Sequence, residues 1–297
     1  MSLEPGSRIL VTGATGRQGG AAVRALLKKE YQVRAFTRDM NAPNALAIKA
    51  LGAEVVRGNF FDPATIAKAL KNVDGIFTMT TSFEGGVEAE VQQGMNMIEA
   101  AKQAGIKHFV MTSVASANLQ TGIPHFDSKY AVEQALEEAG IPYTIIAPVS
   151  FMENMLGPMA LPNLKSCKVV MFQEPEVSQQ LIAVSDIGEM ATSIIARGEE
   201  VFGKRFDIAS DDLTGNQIVE ILTKATGRDF EYIQRDPSDM GMMPPDFAKM
   251  SEWIVRVGYS VDIPALHEQF SEVPWHTFES WVNEQDWDLL LRENEDV

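Results

Sequence analysis

Short apolar runs alternate with helical stretches through the first half of the chain. Ile9-Leu10-Val11 is an unbroken apolar run, the pattern of a strand buried on both faces. Ala21, Ala22, Val23, Ala25, Leu26 and Leu27 follow in a largely apolar helical stretch. Gln32–Thr37 reads as a second strand, and residues 45–51 as a helix closed by Gly52. A third strand is expected over 53–57. The helix after it covers 63–70, with Asp62 as N-cap and Pro63 in its first position. Residues 75–80, 108–112 and 143–147 give three more strands. The helices between them span 87–103, stopped by Gly105, and 128–138, ended by Gly140. Such alternation implies an α/β fold, a doubly wound parallel sheet whose ligands lie beyond the carboxyl ends of the strands.

After Pro148 the rhythm changes. Residues 150–164 are rich in Met, Pro and Asn. Leu181-Ile182-Ala183-Val184 is apolar, and Ser185-Asp186 opens a helix to Ala196. Residues 205–209 offer a late strand. Thr214 caps a helix through Thr226, ended by Gly227, and 230–234 is a small strand. Residues 237–274 read as irregular and carry Met240, Met242, Met243 and Met250; a final helix starts at Thr277. This gives a first domain over 1–150. Residues 151–297 form a smaller, partly discontinuous C-terminal lobe over the crevice, with some segments returning to the sheet. Its methionines suit gap-filling core and an adaptable lid.

Between the first strand and the first helix stands GATGRQG, with Gly13, Gly16 and Gly19 at spacing GxxGxxG. Strand, glycine turn and helix in that order are the context of a dinucleotide fingerprint. Gly13 permits the tight turn, Gly16 lets backbone approach a pyrophosphate, and Gly19 lets the helix pack close to the sheet. The helix N-terminus then offers unpaired N–H groups and a positive dipole end to phosphates.

Composition narrows the partners. A net charge of −16 over 297 residues argues against nucleic acid and against an anionic membrane surface. The single cysteine, Cys167, excludes an intramolecular disulfide and a cysteine zinc site, and suits a small buried hydrophobe. His108, His125, His267 and His276 have no metal-ligand spacing, so no metal is expected. No stretch reaches membrane-spanning length, and residues 1–7 lack the apolar core of a signal sequence. The expectation is a cytoplasmic protein.

Several polar residues fall at strand ends. Arg38 closes the second strand, where arginine accommodates a ribose 2′-phosphate and an acidic residue would bind the bare hydroxyl. Asp39 comes one place late, and Arg17 would add a second guanidinium. Asp62 reads two ways, as a plain N-cap or as acceptor for an adenine amino group with Phe61 behind the ring. Thr80, Thr81 and Ser82 end the fourth strand as ordinary loop hydroxyls or as a border to the nicotinamide ribose. His125 and Lys129 are one helical turn apart. Lys129 could hold ribose hydroxyls and His125 exchange a proton near neutral pH, or both could be solvated polar residues. Ser113 follows the fifth strand, as a turn residue or a ligand to a substrate carbonyl.

Taken together, GATGRQG, Arg38, Asp62-Pro63 and His125-x-x-x-Lys129 resemble the NmrA-like branch of the atypical short-chain dehydrogenase/reductase superfamily. So do PVSFMEN at 148–154, Val184-Ser185-Asp186-Ile187-Gly188, Leu213-Thr214, Thr226-Gly227-Arg228 and Phe278-x-x-Trp281. The resemblance covers almost the whole chain and implies a Rossmann domain binding NADP(H). It places Gly13, Thr15, Gly16, Arg17 and Gln18 on the pyrophosphate and ribose, Arg38 on the 2′-phosphate and Asp62 on the adenine. Thr80, Thr81, Ser82, Lys129, Val149 and Phe151 would line the nicotinamide side.

One departure matters. Short-chain dehydrogenases use Tyr-x-x-x-Lys, and no tyrosine here has lysine four places on; His125 holds the slot before Lys129. Two functions stay open. One is an NADPH-dependent reductase of a small carbonyl, quinone or enone, with Lys129 orienting the ribose and His125 or water supplying the proton. The other is a non-catalytic NADP(H) sensor that changes protein partners with cofactor state. Oligomeric state is left open.

Overall fold

Alternating strands and helices occupy the first half of the computed structural model of the protein, which describes residues 2–236 and 245–292. In order they are β1 (Arg8–Val11), α1 (Arg17–Lys28), β2 (Gln32–Thr37), α2 (Pro43–Ala50), β3 (Glu54–Arg57), α3 (Pro63–Ala69) and β4 (Gly75–Met79). Then come α4 (Gly86–Ala104), β5 (His108–Thr112), α5 (Pro124–Glu138) and β6 (Tyr143–Pro148). With the later strand Lys204–Ile208 they make a seven-stranded sheet in the order Lys204–Ile208, β6, β5, β4, β1, β2, β3. Every neighbouring pair is parallel. The winding reverses between β1 and β4, the place where such sheets open a crevice at their carboxyl edge. The expected doubly wound α/β sheet is therefore present.

The apolar runs explain the layering. Ile9, Leu10 and Val11 are fully buried because helices cover both faces of β1. One face packs Leu10, Ile76, Phe109, Met111 and Ile145 against Ile66, Met97, Val132 and Leu136. Beside α1 runs the helix Val184–Arg197. A Cβ on Gly188 would lie 2.6 Å from the Ala21 carbonyl, so only glycine allows this approach of two backbones. The one buried cation of β2, Arg34, is satisfied: its guanidinium donates to the Ala69 and Lys71 carbonyls at the end of α3, each at 2.8 Å.

The chain divides into two compact units. The first holds the chain up to Pro148, with Val184–Ile208 and His267–Pro274. The second holds the described parts of Val149–Ala183, Ala209–Leu266 and Trp275–Val297. In the second, Ser178–Ile182 pairs antiparallel with Asp211–Thr214 and parallel with Ser150–Phe151. Lys168–Met171 pairs with Glu231–Gln234. The helix Gly215–Thr226 starts with a reciprocal cap: Thr214 Oγ1 accepts from the Gln217 N–H, and Gln217 Oε1 accepts from the Thr214 N–H. Its own core joins Leu213, Ile218, Leu222, Phe278, Trp281 and Trp287. Cys167 is only half-buried at the edge of that core, not enclosed in it.

Two expectations are corrected. Residues 237–274 are not irregular throughout, because Pro245–Arg256 and Ile263–Gln269 are helices. The first has its apolar residues at helical spacing, which the Met-rich composition obscured. Met240, Met242 and Met243 lie outside the described residues. The helix α5 begins at Pro124, not at Ser128, so His125 is already inside its first turn.

A buried histidine marks the base of β5. His108 Nε2 lies 2.9 Å from Thr144 Oγ1, which itself donates to the Val201 carbonyl at 2.9 Å. The hydroxyl therefore accepts from Nε2–H, and among the described residues Nδ1 has no hydrogen-bond partner. Burial pushes the imidazole down to about 4. The unfolded chain takes up this proton near pH 6.5 and the folded chain does not, so stability is full above 6.5 and falls toward 4. Between pH 7 and pH 5 this group should remove about 2 kcal/mol, and His108→Gln should lose that part of the slope. Urea midpoints of both proteins at the two pH values test it; equal slopes would remove the assignment.

Candidate functional site

The turn after β1 is built by close backbone approach. Gly13 has φ +58°, and a Cβ there would press on Met79 Sδ at 2.7 Å. A Cβ on Gly19 would stand 2.2 Å from the Gly13 carbonyl oxygen. The glycine is thus required by the turn itself, whereas the spacing alone suggested contact with the sheet. Gly16 differs. Its φ of −94° suits any residue, and its Cβ would meet only the Gly13 oxygen, at 3.3 Å. Gly16 is the N-cap of α1, where no side chain caps the helix and no acidic residue occupies the first turn. The cap and first turn of this helix thus bring no acidic side chain to its dipole. Thr15 is held through its carbonyl, which accepts from Asn44 Nδ2 at 3.0 Å. Gln18 Oε1 accepts from the Thr112 hydroxyl at 2.8 Å, tying α1 to the end of β5. Arg17 begins α1 and is exposed.

At the end of β2 the exposed Arg38 guanidinium makes two parallel bonds to Glu84, at 2.5 and 2.9 Å. Asp62 caps α3, and the cap uses only Oδ1, which accepts from Ala64 and Thr65. Phe61 beside it is half-exposed. Both readings of Asp62 are thereby compatible with one carboxylate.

The face of α5 carries a charge network that spacing did not disclose. Glu90 of α4 is fully buried. Its Oε1 accepts from Lys129 Nζ at 2.7 Å and from Thr80 Oγ1 at 3.1 Å; its Oε2 accepts from Ser128 Oγ at 2.5 Å. Lys129 also donates to the Thr80 carbonyl at 3.1 Å. One turn further, the buried Glu133 accepts from Ser113 Oγ and, at 2.8 Å, from Arg205 Nε. The Ser113 hydroxyl is thus directed at Glu133. His125 is largely buried, edge-on to Phe126 at 4.9 Å and tilted against Phe83 at 6.0 Å. Thr81 N–H donates to Gln93 Oε1 at 3.3 Å, and the Ser82 carbonyl accepts from Gly86 N–H at 2.8 Å.

The structure therefore gathers Gly13, Thr15, Gly16, Arg17, Gln18 and Arg38, with Asp62, Thr80 and Lys129, on the first unit. Val149, buried, and Phe151, half-buried, belong to the second. Sequence reasoning missed Glu84, Glu90, Glu133 and Asn44. Each lies in a helix or loop where an acid or amide is unremarkable. Among the described residues, no cluster of His, Cys, Asp or Glu is shaped to hold a metal, and no helix is long and apolar enough to cross a membrane.

Strand order and the glycine turn at the switch point define a Rossmann-type α/β protein. More narrowly, the chain belongs to the NmrA-like family, whose model matches residues 5–273. It is 30% identical over 227 residues to an NAD(P)H azoreductase of Xenophilus azovorans, covering 76% of each chain. Among solved structures it is similar to the NADPH-dependent quinone oxidoreductase QOR2 of Escherichia coli, solved with NADPH. That likeness has a TM-score of 0.77 at 25% identity, over 92% of this chain and 98% of that one. It also shares the fold of NmrA, a negative transcriptional regulator solved with NAD, with a TM-score of 0.78 at 19% identity and 95% of each chain covered.

The buried pair makes a stability prediction. Lys129→Met strands the Glu90 charge and should cost about 3 kcal/mol. Glu90→Gln added to the same chain should recover most of it. Denaturant titrations of the single and double variants decide this; a double variant no more stable than Lys129→Met would mean that the pair is not coupled.

Proposed function

We propose that this chain is an NADPH-dependent reductase of a small carbonyl, quinone or enone. The observation that carries the reading is the uncapped start of α1 behind Gly16, in the same unit as Arg38 at the end of β2. Such a helix start fits a pyrophosphate, because its N-cap has no side chain to cap it, its first turn holds no acid, and Gly16 leaves room for backbone contact. Arg38 fits a 2′-phosphate by its fork of donors. The names of the azoreductase and the quinone oxidoreductase agree with this reading.

When bound, the nicotinamide supplies a hydride. The chain's part is to bind, orient and move a proton. Lys129 has two donors committed to Glu90 and the Thr80 carbonyl, which fix its ammonium and leave the third for ribose hydroxyls. His125 is the candidate proton donor in the place of the usual tyrosine. Its packing against Phe83 and Phe126 favours apolar acceptors that need little acid assistance, as quinones do.

A second reading rests on the missing Tyr-x-x-x-Lys: a non-catalytic NADP(H) sensor that changes protein partners. The deciding experiment follows loss of reduced nicotinamide absorbance with quinones, aldehydes and enones, alongside cofactor binding. Turnover that drops about ten-fold or more in His125→Ala supports the reductase with His125 as acid. Tight binding without oxidation of any acceptor moves the chain to the sensor reading. Arg38→Ala should weaken NADPH more than NADH; equal loss would refute the 2′-phosphate assignment.

The glycines give a separate test. Gly16→Ala, whose Cβ would meet the Gly13 carbonyl oxygen at 3.3 Å, should keep the fold at a small cost in stability and lose dinucleotide binding. Gly19→Ala should lower stability by about 1–3 kcal/mol through the clash with the turn. Thermal melts and binding isotherms separate the two effects; unimpaired binding by Gly16→Ala would count against the pyrophosphate site.

A further inference from the structure

We infer that Glu84 sets how strongly this chain prefers a 2′-phosphorylated dinucleotide, by competing for Arg38; the inference rests on the NADP(H) reading above. Arg38 has been placed at the 2′-phosphate position, yet its guanidinium already faces an anion. Nη1 meets Glu84 Oε2 at 2.5 Å and Nη2 meets Oε1 at 2.9 Å. Two donors on two oxygens is the geometry in which a guanidinium also takes a phosphate. The Glu84 carboxylate therefore occupies the donors that a 2′-phosphate would use.

Glu84 comes from far along the chain, in the segment between β4 and α4, 46 residues from Arg38. The acid beside Arg38 in sequence, Asp39, accepts from the Asn41 N–H through Oδ1 at 2.8 Å, whereas it is Glu84 that meets the Arg38 fork with both oxygens. Its position is set locally, by the Gly86 N–H bonded to the Ser82 carbonyl and by Gly86 at φ +84°, a turn that opens α4.

The pair is exposed, with 72% of the Arg38 side chain and 53% of the Glu84 side chain open to solvent. An exposed pair is weak enough to be displaced, so Glu84 tunes preference and does not block the site. A 2′-phosphate must displace the carboxylate and endures its negative charge. A dinucleotide with a bare 2′-hydroxyl does neither. The preference of the native chain for NADPH is accordingly smaller than Arg38 alone would give.

The test measures NADPH and NADH binding by nicotinamide fluorescence in the native chain, Glu84→Gln and Arg38→Gln, with 2′,5′-ADP and 5′-AMP as competitors to isolate the adenosine end. Glu84→Gln should bind NADPH and 2′,5′-ADP about three- to five-fold more tightly and leave NADH and 5′-AMP unchanged. Arg38→Gln should weaken only the 2′-phosphorylated pair. If Arg38→Gln behaves so but Glu84→Gln moves both dinucleotides equally, or neither, the inference is wrong and the cofactor reading stands. If the native chain binds neither dinucleotide, or Arg38→Gln has no selective effect, the cofactor reading fails and the inference with it. Because Glu84 is exposed and caps nothing, its variant should melt at the native temperature.

Discussion

Close backbone approach at the start of α1 is the constraint on which the first unit depends. The Gly13 carbonyl sits where a Gly19 side chain would begin, and Gly188 brings the helix Val184–Arg197 onto the backbone of Ala21. Three chain segments meet there with no side chain between them. The contact fixes α1 against the end of β1, at the point where the sheet reverses its winding. The same glycine turn supplies Gly16 as the N-cap of α1, with no side chain to cap it. Packing and the proposed chemistry therefore meet in one short segment.

Buried charge organises the opposite side of the sheet. On α4 and α5, Glu90 and Glu133 are fully buried, and each meets a cation, Lys129 or Arg205. Desolvating four charges is costly, and the Coulomb gain repays it only when hydrogen bonds saturate the remaining lone pairs. Thr80 and Ser128 do this for Glu90, and Ser113 does it for Glu133. Hydroxyls that spacing offered as ligands for a bound molecule are thus partly structural. Lys129 is oriented by a partner of opposite charge, which holds its ammonium in one place.

The glycine turn, the alternating strands and the Asp62 cap were readable because each depends on residues close in sequence. Backbone conformation, apolar periodicity and capping bonds act over a few residues, so their signals survive in a linear string. The helix Pro245–Arg256 was missed because a Met-rich composition masked its helical spacing. The strands Lys168–Met171 and Asp211–Thr214 were missed because each is short and pairs with a distant segment. The resemblance to the NmrA-like family was legible from motifs spread over the chain, and the family match confirms it.

The sequence by itself determined the parallel α/β sheet and the residues at its carboxyl edge, while the strand order, and with it the switch point between β1 and β4, came from the tertiary structure. Local propensity and hydrophobic burial dictate the sheet and its edge residues. Tertiary structure alone decided which charges face each other. Glu84 reaches Arg38, Glu90 reaches Lys129 and Glu133 reaches Arg205 across 46, 39 and 72 residues. No local pattern encodes such pairings, because an acid on a helix looks the same whether it faces water or a buried cation. Only the folded chain supplies the distance and the dielectric that give each charge its role.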